Sequence, residues 1–148
     1  MKYMLIMRAT DAALEASRQI PMEEMFNRMG AYNEKLMSAG VMVGGEGLAE
    51  PEDPANFVVD FGQDPPVITD ESYGAAEALF NGFWMLEVPS RQDAIRWASK
   101  CPLGPGSKLE VRSVSGEEDF ADFADNEYLQ KEAGWRQEVA RRNAGGGE

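Results

Sequence analysis

The chain has 148 residues, with 14 Lys plus Arg against 26 Asp plus Glu and a formal charge of −12. Such acidity argues against a nucleic-acid or anionic-membrane partner, because both are held by basic patches. The absence of histidine removes His-based acid–base catalysis and every His-containing metal site, and the single Cys101 removes an internal disulfide and a thiolate cluster.

Lys2 to Arg8 reads as a short, mostly apolar strand, central in a sheet. Residues 9–19 read as a polar connection. From Pro21 the period becomes helical: Met22, Met25, Phe26, Met29, Tyr32, Leu36 and Met37 repeat at i, i+3, i+4, i+7. Pro21 suits a first turn, Glu23 and Glu24 complement the positive helix end, and Gly40 stops the helix. A second strand follows, Val41-Met42-Val43 leading into Gly44-Gly45-Glu46-Gly47-Leu48. After an acidic, Pro-containing turn over 49–55, Phe57–Phe61 and Val67–Thr69 read as a hairpin with a loose turn. Residues 70–81 read as a loop or short helix. Phe83–Val88 is the strongest strand pattern. Ser90 then caps a helix with Asp93 in the capping-box position, Ala94, Ile95, Trp97, Ala98 and Cys101 forming its apolar stripe, and Pro102 stopping it. Leu109 to Val114 alternates as a last strand.

Two β-α-β units around a hairpin define a ferredoxin-like α+β plan, an antiparallel sheet with two helices on one face. The other sheet face then needs cover, and a second copy of the chain is the simplest one, so a homodimer is expected. The domain is expected to span residues 1–114. Residues 115–148 form an acidic extension with nine acids and four bases, a net of −5. Phe120, Phe123, Tyr128, Leu129, Trp135 and Val139 predict one or two helices within 118–142, docked on the sheet or on a partner, with Asn126 as a cap and a bend at Gly134. Asn143 to Glu148 is Gly-rich and predicted to be disordered. No run approaches the roughly 20 apolar residues of a membrane span, and no signal-peptide pattern is present. With its unpaired cysteine the chain is expected to be cytoplasmic and away from membranes.

Residues 1–114 resemble the YCII-related superfamily, and within it the DGPF-type proteins. The resemblance rests on Lys2-Tyr3-Met4-Leu5, on the run Ala39 to Leu48, on Thr69-Asp70, on Gly82 to Pro89 with Ala94, Trp97, Ala98 and Cys101-Pro102, and on Leu109-Glu110-Val111-Arg112. It implies a ferredoxin-like fold that pairs as a dimeric α/β-barrel, and no particular reaction. It also implies kinship with small enzymes for which a His–Asp pair is proposed, and with companions of extracytoplasmic sigma factors. Two departures stand out. No His is present, and the Asp-Gly-Pro-Phe signature stands here as Asp70-Glu71-Ser72-Tyr73.

Six residues are candidates for a site. Glu46, flanked by glycines that let the backbone approach a ligand or another chain, and Asp70, in the acidic position of the signature, are the candidate acid–base groups. Each has a plainer reading, as a solvated strand-end Glu and as a turn residue. Arg8 and Arg112 lie on the first and last strands, which neighbour one another in this plan. They are candidates for holding an anionic ligand, or else for an ion-pair network at a dimer seam. Tyr73 and Trp84 are the candidate ligand contacts, with plain packing as the alternative. The acidic clusters lack calcium-loop spacing, so neither metal nor cofactor is expected. The expected partners are a second copy and a small anionic ligand. A non-catalytic interaction or regulatory module is the competing class.

Overall fold

The computed structural model describes residues 1–8 and 10–145. The chain forms two compact units, Met1–Val114 and Ser115–Glu148.

In the first unit, strand β1 (Lys2–Arg8) leads into α1 (Asp11–Arg18) and α2 (Met22–Ser38). Strand β2 (Met42–Gly47) follows, then the short strands β3 (Val58–Asp60) and β4 (Val67–Thr69) and a 3₁₀ turn over Ala76–Ala78. Strand β5 (Phe80–Glu87), α3 (Arg91–Ala98) and β6 (Lys108–Ser113) complete it. The main sheet has the order β2-β5-β1-β6 with every neighbouring pair antiparallel. β1 and β2 therefore run parallel, as do β5 and β6, and each pair brackets helices: two interleaved split β-α-β units, the ferredoxin-like plan. β3 and β4 form a separate two-stranded ribbon.

Helix α1 replaces the expected polar connection. Thr10 caps it, its hydroxyl accepting the Ala13 N–H at 3.2 Å, and Asp11 and Arg18 sit at the dipole-complementing ends. Its one buried residue is Ala13, so no large apolar stripe marks it in the sequence. Helix α2 ends as expected at Gly40, whose φ of +68° only glycine takes without strain. The Val41 N–H returns to the Leu36 carbonyl and the Gly40 N–H to that of Met37, a Schellman closure. Ser90 caps α3 as expected, accepting the Asp93 N–H at 3.1 Å. Ala94 is its buried residue, whereas Ile95, expected in the stripe, is exposed. β5 begins at Phe80 rather than Phe83, because a bulge after Ile6 brings Arg8 into register with Phe80.

The core lies between the sheet and α2–α3. Leu5, Leu36 and Leu86 are fully buried, with Tyr3, Tyr32, Trp84, Val88 and Ala94 around them. Tyr32 meets Trp84 edge-on at 5.4 Å between ring centroids, and its hydroxyl donates to the Trp97 carbonyl at 3.0 Å. Strand alternation then fixes both sheet faces. Leu5, Trp84 and Leu86 point to the helices. Met4, Ile6, Arg8, Phe83, Met85, Glu110 and Arg112 belong to the opposite face.

In the second unit a 3₁₀ segment, Glu117–Phe123, precedes α4 (Glu127–Gly145). Asn126 caps α4, its side-chain oxygen accepting the N–H groups of Tyr128 and Leu129. Pairs at i, i+4 line the helix, among them Glu127–Lys131 and Glu138–Arg142. α4 runs continuously through Gly134 and on through Asn143 to Gly145, which the Gly-rich composition had marked for disorder. The last three residues, 146–148, lie outside the described ones. No residue of α4 is buried, and Phe123, Tyr128, Trp135 and Val139 are exposed. Among the described residues, no helix is long and apolar enough to cross a membrane.

Candidate functional site

The Arg8 corner is built by two neighbouring strands. β1 pairs with β6 so that Met4 faces Arg112, Ile6 faces Glu110 and Arg8 faces Lys108. Arg8 Nε and Nη2 both approach Glu110 Oε2 at 3.0 Å, while Glu110 Oε1 lies 3.9 Å from Arg112 Nε. One carboxylate thus spans the two arginines, which stand four positions apart in the β1–β6 register. Arg8 is held further by the Ala78 and Leu79 carbonyls, each 3.4 Å from Nη1, and by the Phe80 ring, 5.9 Å from its guanidinium carbon. Lys108 adds a third cation directly opposite Arg8 and has no ion-pair partner among the described residues. Three cations around one carboxylate make a local positive excess in a chain of net charge −12.

Glu46 belongs to the same sheet face but to the far edge. The row Glu46–Phe83–Ile6–Glu110 crosses all four strands, so three strand spacings, about 14 Å, separate Glu46 from Glu110. Glu46 is exposed. A Cβ on neighbouring Gly45 would stand 2.8 Å from the Phe83 carbonyl oxygen, so that glycine serves the close approach of β2 to β5. Asp70 follows β4 and is exposed. Tyr73, 75% exposed, lines a hollow of about 410 Å³ with Leu48, Phe57, Glu71 and Phe80. Phe80 is shared between that hollow and the Arg8 corner.

Trp84 stands apart from the arginines and, with Glu46, lines a cavity of about 450 Å³ beside the N-terminal half of α2. It pairs with Leu5 in register, points to the helix side, and is 6% exposed. Its Nε1–H donates to Asn33 Oδ1 at 2.7 Å. It therefore lines no common cleft with Arg8 and Arg112. Glu110 and Lys108 were not among the candidates, yet the alternation Lys108-Leu109-Glu110-Val111-Arg112 already places all three charged residues on one face.

Elsewhere, burial pushes the Cys101 thiol up to about 12, so it is a neutral, poor nucleophile near pH 7. Burial, and secondarily the nearby Cys101, raises the Tyr32 hydroxyl above its ordinary value. Among the described residues no group of three or more Asp, Glu or Cys side chains could hold a metal ion.

Residues 1–118 match the family model of the YCII-related domain, and the chain belongs to that family. No curated protein matches the chain.

Proposed function

We propose that this YCII-related domain is a homodimeric small-molecule-binding protein whose Arg8–Lys108–Arg112 corner takes an anionic ligand at the sheet seam. The observation that carries the reading is the cation excess around Glu110, maintained in a strongly acidic chain. Guanidinium groups match carboxylate and phosphate geometry through paired donors. The sheet face between the two edges is apolar, with Met4, Ile6, Phe83 and Met85 in its central strands. Packing two such faces about a two-fold axis parallel to the strands sets β2 of one protomer over β6 of its partner. Glu46 of the partner subunit then comes over the Glu110 end of the row, between the levels of Lys108 and Arg112 on β6. An axis across the strands would set the two Glu46 edges together. In the catalytic form of this reading Glu46, and Asp70 from the ribbon side, act as cofactor-independent acid–base groups on a substrate held by the arginines.

A second reading is a non-catalytic interaction or regulatory module, as in the sigma-factor-associated DGPF-type proteins. Glu110 supports it, because it partners both arginines from within the chain. Light scattering and calorimetric titration with small dicarboxylates and inorganic phosphate separate the two. The first reading expects a particle of twice 16.3 kDa and anion binding that Arg112→Ala abolishes while the dimer persists. A monomer, or wild-type protein that binds none of these anions, refutes it. Dissociation of the dimer by Arg112→Ala favours the second.

A further inference from the structure

The other side of the sheet carries a groove that the anion corner does not use. Only Tyr32 and Leu36 of α2 are buried, and both lie in its C-terminal half. The same apolar stripe continues towards the N-terminus as Met22, Met25, Phe26 and Met29, yet Met22 and Phe26 are 64% and 69% exposed. Between this half-helix and strands β1, β2 and β5 lies a cavity of about 450 Å³, within the range of small-molecule sites. Met7 and Met42 complete a wall of five thioethers, and Trp84 lies beside them. Flexible, polarizable methionines adapt to a guest's shape and make favourable contacts with aromatic rings. Asn33 supplies the polar handle. Its Oδ1 is taken by the Trp84 N–H at 2.7 Å. Its Nδ2, with no partner among the described residues, is left as a donor in a mostly apolar lining whose charged side chain is Glu46, at the β2 edge.

We infer that this groove binds a neutral aromatic molecule bearing a hydrogen-bond acceptor, such as an aryl ketone, with the ring among the methionines and the acceptor oxygen on Asn33 Nδ2. The groove shares Glu46 with the acid–base set proposed above but contains none of Arg8, Lys108 and Arg112, and binding there does not depend on those cations. Prodan, a neutral naphthyl ketone whose emission shifts blue in apolar surroundings, is the probe. The expected result is a saturable blue shift at one prodan per chain. Phe26→Ser, at an exposed rim position, weakens binding about tenfold through lost apolar contact. Asn33→Asp keeps an acceptor for Trp84 but replaces the donor by a carboxylate, and weakens binding by about tenfold or more through the lost hydrogen bond. Melting temperatures check that both variants remain folded. Non-saturable emission, or wild-type affinity in either folded variant, overturns the inference. Arg112→Ala leaves prodan binding unchanged, and loss of binding in that variant would also overturn it, by placing the probe on the other face.

Discussion

Glu110→Gln tests the anion corner most directly, because it changes charge while keeping shape. Glu110 balances Arg8 and Arg112 and faces the strand position between Arg8 and Met4. The Arg8 and Glu110 side chains are 31% and 40% exposed, so solvent screens their attraction to about 0.5–1 kcal/mol. Removing the carboxylate also leaves Arg8 directly opposite Lys108 without compensation, which adds a few tenths of a kcal/mol. The total is about 1 kcal/mol, or roughly 2–4 °C in melting temperature for a chain of this size. Salt screens both contributions, so the deficit shrinks at high ionic strength. Ligand binding moves the other way: Glu110 competes with an incoming anion for Arg8 and Arg112, so the variant gains more stabilisation from phosphate than the wild type does. Thermal melting in low-salt buffer with and without phosphate gives both numbers. A variant as stable as wild type, or one that phosphate stabilises less, would refute the claim that Glu110 occupies an anion site.

Leu36→Ala, at a fully buried side chain, costs about 2–5 kcal/mol of unfolding free energy in denaturant titration. Ser90→Ala removes the α3 cap and costs about 1 kcal/mol in the same assay. The Cys101 thiol, raised to about 12 against an ordinary 9.0, is protonated in both states below pH 9. Between those values the unfolded thiol ionises first, so its contribution to stability is lost as pH rises through that window. Cys101→Ala flattens this part of the stability profile, while Tyr32 retains a loss of the same sign because its hydroxyl is raised too. Thiol-reagent kinetics at pH 7.5 should show Cys101 reacting far more slowly than in denatured chain.

The sequence is most legible where one periodicity and its punctuation agree. Helix α2 has a stripe of large apolar residues and a terminal Gly40, and α3 has Ser90 with Asp93. Helix α1 lacked that signal because the residue it buries is an alanine. The early start of β5 was set by a bulged pairing with β1, a non-local event that no short window of sequence contains. The site divides in the same way. That Arg8 and Arg112 share one sheet face and one carboxylate follows from the neighbouring of first and last strands. The side taken by Trp84 does not follow from β5, because Phe83 and Met85 alternate with Trp84 and Leu86 and both sets are apolar. Period-two alternation assigns a face only when one set is polar. β6 meets that condition, with Lys108, Glu110 and Arg112 against Leu109 and Val111. Pairing fixes β5 in turn: Met4 is opposite both Arg112 and Met85, so Met85 joins the charged face and Trp84 must turn to the helices. The polar edge strand thus orients the apolar centre of the sheet, and it puts the two arginines and Trp84 on opposite sides.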